Sequence, residues 1–283
     1  MLPLLMLTLV ATTTAISEDC VYRFDNKLYT RTALLTIKGL PSNLAHNPAT
    51  NDLFFTLIDL DSLTDDEVQT KMDQYVLHNN VPTKIDGVHG QAVAIDKRRN
   101  IVYLATDNGL HTLNETYQPT FLSLKDEDII QLNKHMIKDE LYAVLYPDNE
   151  VIVLDIKRNE KRPVKNVPCT YIMAVDMEDN VYYECDSKYL KVLLKGFQEP
   201  IEFAGIAKDT ARAITVDRQN RVILATNDGL YQLKPDRVIP KKLMDLEYWP
   251  SGIEFDGDDM YVSTTGVIYK YSNKDCKTNG SKY

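Results

Sequence analysis

The chain has 283 residues, of which 44% are hydrophobic and 26% charged, and a formal net charge of −9. This is a globular composition with no low-complexity tract, long enough for one large all-β domain or two ordinary ones. The negative balance argues against a nucleic-acid partner, because the densest basic stretch, residues 157–165, is interrupted by Glu160 and reads as a solvated hairpin turn.

The chain opens with MLPLLMLTLVATTTA, an uncharged apolar run followed by small residues. This predicts a secretory signal over residues 1–15, cleaved after Ala15. The run is too short to span a bilayer, and no later segment is long and apolar enough to do so. The expectation is a secreted, extracellular protein, monomeric and without a membrane partner. A single domain would cover residues 16–283.

From residue 44 onward one pattern recurs. LAHNPATNDLFFTLIDLD (44–61) reads as strand, turn, strand, and AVAIDKRRNIVYLATDNGLHTL (92–113) adds a third strand. AITVDRQNRVILATNDGLYQL (213–233) repeats the second copy almost word for word, and weaker copies occupy 136–156, 172–193 and 252–271. Alternating apolar residues between turn signals mean antiparallel β structure. Gly109 and Gly229 are expected to supply a positive φ in the second turn. One anchor near each first turn (Asn47, Asp96, Asp139, Asp176, Asp217, Asp256) gives separations of 37 to 49 residues, averaging near 42. A period in the forties with four strands per unit signals a propeller blade. Six units predict an all-β, six-bladed β-propeller. Residues 59–77, which carry some helical period, read as an elaborate connection within the first blade. The segment 20–30 precedes the first blade and is expected to lend a strand to the last.

Four cysteines allow three pairings. Cys20 lies just after the signal and Cys276 just before the end, while Cys169 and Cys185 flank one predicted hairpin. Bridges Cys20–Cys276 and Cys169–Cys185 follow most naturally, and they fit an oxidising compartment. Asn114 and Asn279 head glycosylation sequons.

Catalytic signatures are missing: there is no GxSxG, HExxH, P-loop or GxGxxG. The acidic pairs Asp65-Asp66 and Asp258-Asp259 fall in connections or turns. A propeller's site usually lies at the mouth of its central channel, lined by residues just before each innermost strand. Those positions read as Asn43, Leu44, His89, Gly90, Gln91, Asn133, His135, Thr170, Tyr171, Arg212, Tyr248, Trp249 and Ser251. The ring is aromatic, amide and cationic, and it does not supply the convergent hard oxygens that a catalytic divalent metal prefers. Trp249, Tyr248 and Tyr171 offer stacking faces. Arg212 offers a fork for a carboxylate. His89 and His135, with the amides of Asn43 and Gln91, offer hydrogen bonds. The ring therefore suits a small, flat, anionic organic ligand held without a metal or covalent cofactor. Against this stand ordinary roles: Trp249 as an inter-blade residue, each histidine as a structural or solvated group, and Arg212 as the partner of Asp209.

The order of features (signal, early cysteine, NPATNDLFFTLIDLD, GVHGQAVAIDKRRNIVYLATDNGLHTL, VPCTYIMAVDMEDNVYYECDSKYLKVL, NDGLYQL, late cysteine) resembles the ommochrome-binding proteins of insect haemolymph, especially those of moths. The resemblance covers most of the chain after the signal. It implies a haemolymph carrier for an ommochrome, an acidic aromatic pigment, and brings no ligand-contact motif with it. NPATNDLFF and IDKRRNIVYLAT are also similar to blades of gluconolactonase-like propellers, which implies a metal-dependent lactonase as the alternative. An extracellular protein-interaction propeller is the third reading.

Overall fold

The computed structural model describes residues 20–63 and 70–276. The signal over 1–15, the Asp65-Asp66 pair and the Asn279 sequon lie outside the described residues. The described chain is almost entirely strand. A terminal ribbon, β1 (Tyr22–Phe24) and β2 (Lys27–Thr36), precedes the first blade. Blade one holds β3 (Leu40–Asn47), β4 (Asp52–Ile58), β5 (Met72–His78) and β6 (Val81–Lys84). Blade two holds β7 (Gly90–Asp96), β8 (Ile101–Thr106), β9 (Gly109–Leu113) and β10 (Pro119–Ser123). Blade three holds β11 (Asp128–Lys134), β12 (Glu140–Tyr146), β13 (Glu150–Asp155) and β14 (Glu160–Pro163). Blade four holds β15 (Thr170–Val175), β16 (Val181–Cys185), β17 (Tyr189–Leu193) and β18 (Ile201–Glu202). Blade five holds β19 (Ala211–Val216), β20 (Val222–Thr226), β21 (Gly229–Lys234) and β22 (Arg237–Asp245), and blade six β23 (Gly252–Asp256), β24 (Asp259–Thr264) and β25 (Val267–Ser272). Each sheet is antiparallel, the first five run from an innermost to an outermost strand in chain order, and the whole is a six-bladed β-propeller.

Blade six lacks a fourth strand of its own. β2 supplies it, pairing antiparallel with β25 from Thr30 opposite Ser272 to Thr36 opposite Val267, and β1 adds a fifth strand. The ring thus closes through the N-terminal segment, as residues 20–30 suggest. The Cys20–Cys276 bridge, with Cα atoms 5.7 Å apart, fastens the same closure. The second bridge, Cys169–Cys185, joins the mouth-side ends of β15 and β16, where Thr170 pairs with Cys185. Of residues 59–77, expected as a connection, 60–63 make one short 3-10 turn after β4 and 72–77 already belong to β5. Two disulfides fit an oxidising, extracellular environment. No helix among the described residues is long and apolar enough to cross a membrane.

The repeated sentence has a local cause. At the end of an inner strand the carboxylate of Asp96, Asp176 or Asp217 turns back and accepts backbone N–H groups of the following turn: Arg98 and Arg99, Glu178 and Asn180, Gln219 and Arg221, at 2.9–3.1 Å. Asn47 does the same for Ala49. This is Asx-turn chemistry, which satisfies donors that the turn would otherwise orphan. The turns also stitch neighbouring blades: Asn47 donates to Asn100, and Met177 N–H to Asn220.

Gly109 has the expected positive φ of 112°, but Gly229 does not. The reason for glycine is shared and lies elsewhere. A Cβ at Gly109 would sit 2.4 Å from the Leu124 carbonyl, and one at Gly229 2.3 Å from that of Met244. The backbone along the next strand, or just past its end, crosses too closely for any side chain.

Candidate functional site

The six inner strands all contribute to one cavity of about 430 Å³ on the propeller axis. That is within the range of small-molecule sites. Its two ends differ. Asn43, Gln131 and Arg212 lie where the inner strands begin. Asp96, Lys97, Lys134, His135, Arg218 and Asp256 lie where they finish. Between them runs an apolar belt that includes Val93, Leu132, Ile214 and Ile253.

Arg212 is exposed and lines the first mouth. Its Nε donates to Asn227 Oδ1 at 2.6 Å and an Nη to the Asp209 carbonyl at 3.0 Å. Both acceptors are neutral, so the Asp209 carboxylate is not its partner. Its guanidinium carbon lies 5.9 Å from the centre of the Trp249 ring. Trp249 is 68% exposed rather than packed between blades. Trp249 is not part of the cavity wall; it stands outside it beside Arg212, so a cation and a bare aromatic face lie together at the rim of this mouth. Asn43, held at φ 47°, donates to the Gln91 carbonyl at 2.6 Å, and the Gln91 side chain donates to the Asp128 carboxylate. These two amides tie blades one, two and three around the mouth. Gln91 is buried outside the cavity wall, whereas Asn43 lines it.

Four sequence candidates lie elsewhere. Tyr248 is turned into the core beside Tyr269, and its hydroxyl shares a 2.7 Å hydrogen bond with Tyr271. Burial pushes the Tyr248 hydroxyl far above its ordinary pKa. Tyr248 lies in the bend between β22 and β23, which turns its side chain into the core and leaves the adjacent indole exposed, so the two do not present one face to a ligand. Tyr171 is 48% exposed, and its neighbour Ile172 faces the cavity in its place. His89 takes the Met72 N–H on Nε2 at 3.2 Å, with Nδ1 3.7 Å from Asp107, and it is not part of the cavity wall. His135 does line the cavity, but at the opposite end from Arg212. The innermost strand of blade three is β11, not the stretch beginning at Met136, so Asn133 and His135 follow the inner strand's start instead of preceding it. His135 is fully buried. Its Nδ1 accepts the N–H groups of Ile137 and Lys138, which places the proton on Nε2, 3.1 Å from Asp179. Burial lowers its pKa.

Inside the cavity are groups the repeat pattern does not single out. Glu254, buried on β23, accepts from Lys97 Nζ at 2.5 Å and from Thr215 Oγ1 at 3.3 Å. Lys97 comes from blade two and reaches past blade one to do this. Lys134 is buried, donates to the carbonyls of His135 and Lys138, and lies 3.6 Å from Asp96; burial lowers its pKa. Burial opposes the charge of Asp96, but Arg99 and Lys134 outweigh it and hold that carboxyl below its usual range. Lys97, Lys134, Arg212 and Arg218 face Asp96, Glu254 and Asp256 across the cavity, a slight positive excess in an acidic chain. At the Arg212 mouth the donors are two amides and a guanidinium. That set does not fit a divalent cation, which needs several hard anionic oxygens. The cavity carboxylates lie deeper and are already engaged.

No protein-family model and no curated protein matches this chain. Solved structures do. A gluconolactonase from Xanthomonas campestris superposes with a TM-score of 0.68 at 9% identity, covering 90% of this chain and 93% of its own. Virginiamycin B lyase from Staphylococcus aureus gives 0.58 at 10% identity, covering 86% and 99%. An auxiliary nutrient binding protein from Bacteroides thetaiotaomicron gives 0.60 at 10% identity, covering 84% and 69%. These likenesses show the fold. None of the three is described as a pigment carrier, and both enzymes and a binding protein occur among them.

Proposed function

We propose that this propeller binds a small, planar, anionic organic molecule in its central cavity, with the anionic group at Arg212 and an aromatic face against Trp249. One observation carries the reading. Arg212 is a cation at the cavity mouth whose hydrogen-bond acceptors are neutral, and it stands beside an exposed indole. A carboxylate would complete the guanidinium's charge with short, charge-assisted hydrogen bonds. The resemblance in the order of sequence features makes an ommochrome the first ligand to try, in a protein secreted to the haemolymph. The test is a titration with xanthommatin against a neutral aromatic of similar size. Tighter binding of the acid, lost in Arg212→Ala, supports the reading.

Hydrolysis of a small lactone is the second reading, and the gluconolactonase neighbours weigh towards it. Glu254, flanked by Lys97 and Thr215 inside the cavity, is the carboxylate best placed to meet a bound ester. The cationic mouth weighs the other way, since it offers no seat for a metal. Lactone turnover that is sensitive to Glu254→Gln would favour this second reading over the first.

A further inference from the structure

Outside the axis, the seam between blades four and five encloses a separate cavity of about 210 Å³. Its deepest polar group is Glu184 on β16. Alternation along this strand puts Glu184 on the same face as Tyr182, which stacks on Phe203 at 6.3 Å in the core of that seam. Glu184 is only 5% exposed, and its Oε1 has no hydrogen-bond partner. The Lys188 N–H in the turn that follows is taken by the Cys185 carbonyl at 3.0 Å, and among the described residues no side-chain cation pairs with the carboxyl. The loop 203–210 covers the cavity and is pinned where the Asp209 N–H donates to the Ser187 carbonyl at 2.7 Å. A buried carboxylate oxygen without a partner is costly, and it marks a place where something else belongs.

The walls say what kind of group fits. Glu202 and Asp209 add two more carboxylates against the ammonium groups of Lys188 and Lys208, which leaves one carboxylate in excess when Glu184 is ionised, and Tyr189 and Phe203 add aromatic surface. The Tyr189 ring already attracts cations: the ammonium groups of Lys191 and Lys208 lie 5.3 and 5.2 Å from its centre. A metal is the poorer fit. Among the described residues the one cluster of three ligand atoms within 4.8 Å is Cys169, Cys185 and Asp186, and its two sulfurs are consumed in the disulfide. An ammonium needs only separate acceptors and tolerates an aromatic wall.

We propose that this seam cavity is a second binding site, for a small organic ammonium ion that donates to Glu184 Oε1 and rests its hydrocarbon part on Tyr189 and Phe203. The site is independent of the axial cavity and does not rest on its assignment. Burial, with Asp186 and Asp209 nearby, raises the Glu184 carboxyl to about 7. The carboxylate that holds the ammonium is therefore formed mainly above neutral pH.

The experiment is calorimetric titration of the whole protein with 2-phenylethylammonium at pH 8 and pH 6. Saturable binding at pH 8, weaker at pH 6, retained in Arg212→Ala and at least tenfold weaker in Glu184→Gln, is expected. Absence of saturable binding at pH 8, or equal binding in a folded Glu184→Gln, overturns the proposal. Calcium that saturates this site while the amine does not bind also overturns it, in favour of a metal. If Glu184→Gln fails to fold, the wild-type pH dependence decides: affinity that does not rise from pH 6 to pH 8 overturns it.

Discussion

Arg212 and Trp249 meet at one mouth of the propeller although they belong to different blades: the guanidinium carbon lies 5.9 Å from the indole centre, and the indole is 68% exposed. Charge-assisted hydrogen bonds contribute about 1.5–3 kcal/mol each. Arg212→Ala should therefore weaken an anionic aromatic ligand at least tenfold, while Trp249→Phe should weaken it less. Fluorescence or absorbance titration checks both, with circular dichroism confirming that each variant folds.

The ring closure depends on the N-terminal ribbon, and Cys20–Cys276 spans 256 residues. In the chain-entropy description, a loop of this length stabilises by about 5.5 kcal/mol and the 16-residue separation of Cys169–Cys185 by about 3 kcal/mol. Removing the first bridge by a double Cys→Ser change should cost more than removing the second. Denaturant unfolding measures the difference, and a non-reducing peptide map checks the pairing itself.

Acid should destabilise this fold. Burial alone would raise the Asp179 carboxyl, but hydrogen bonds from Lys138 and Lys195 overcome it and hold it at about 2. Asp228 is likewise held at about 2 against burial by Thr226, Lys242 and Tyr231. A depressed folded-state pKa adds stability above the unfolded value near 3.8 and loses it as pH falls through the folded value. Stability should thus drop between about pH 4 and pH 2. Asp179→Asn should flatten that part of the curve.

Glu184 has the opposite sign. Its raised pKa means the fold favours the neutral acid, and stability is lost as pH climbs from its ordinary value, 4.5, through about 7. Each pKa unit corresponds to about 1.4 kcal/mol. In the absence of an amine, Glu184→Gln should be more stable than the parent at pH 8, by up to about 3 kcal/mol, and should show no such gain at pH 4. Thermal or denaturant unfolding at the two pH values reads this directly.

Asn114 sits exposed in the β9–β10 turn, away from the axis, with Thr116 Oγ1 donating to its Oδ1 at 2.9 Å. Expression in a secreting eukaryotic cell should attach a glycan here. Asn114→Gln should remove one mass step and leave ligand binding unchanged.

The architecture was legible because its turns are chemical and repeat. Asp96 and Asp217 close equivalent turns, each accepting the N–H two residues on and the Nε of a following arginine, so the period survives in the residues themselves. The channel wall was less legible, for a geometric reason. A period of two marks a strand but not its rank in the blade, and blade three was therefore read one strand late, sending His135 and Asn133 to the wrong end. Arg212 could be found because it interrupts an apolar inner strand. Tyr248 was misplaced because adjacency in sequence to Trp249 says nothing of which face each side chain takes. Glu254, Lys97 and Glu184 carry no local signal at all. Their roles arise from blades brought together across the axis or along a seam.

The central claim is tested most directly by titrating the protein with xanthommatin while following visible absorbance and the fluorescence of Trp249, the chain's only tryptophan. The account predicts saturable binding, micromolar or tighter, equivalent to about −8 kcal/mol or better, with strong quenching that is lost together with affinity in Arg212→Ala. No binding, or binding that leaves Trp249 fluorescence unchanged and ignores Arg212→Ala, would contradict it and turn attention to lactone substrates.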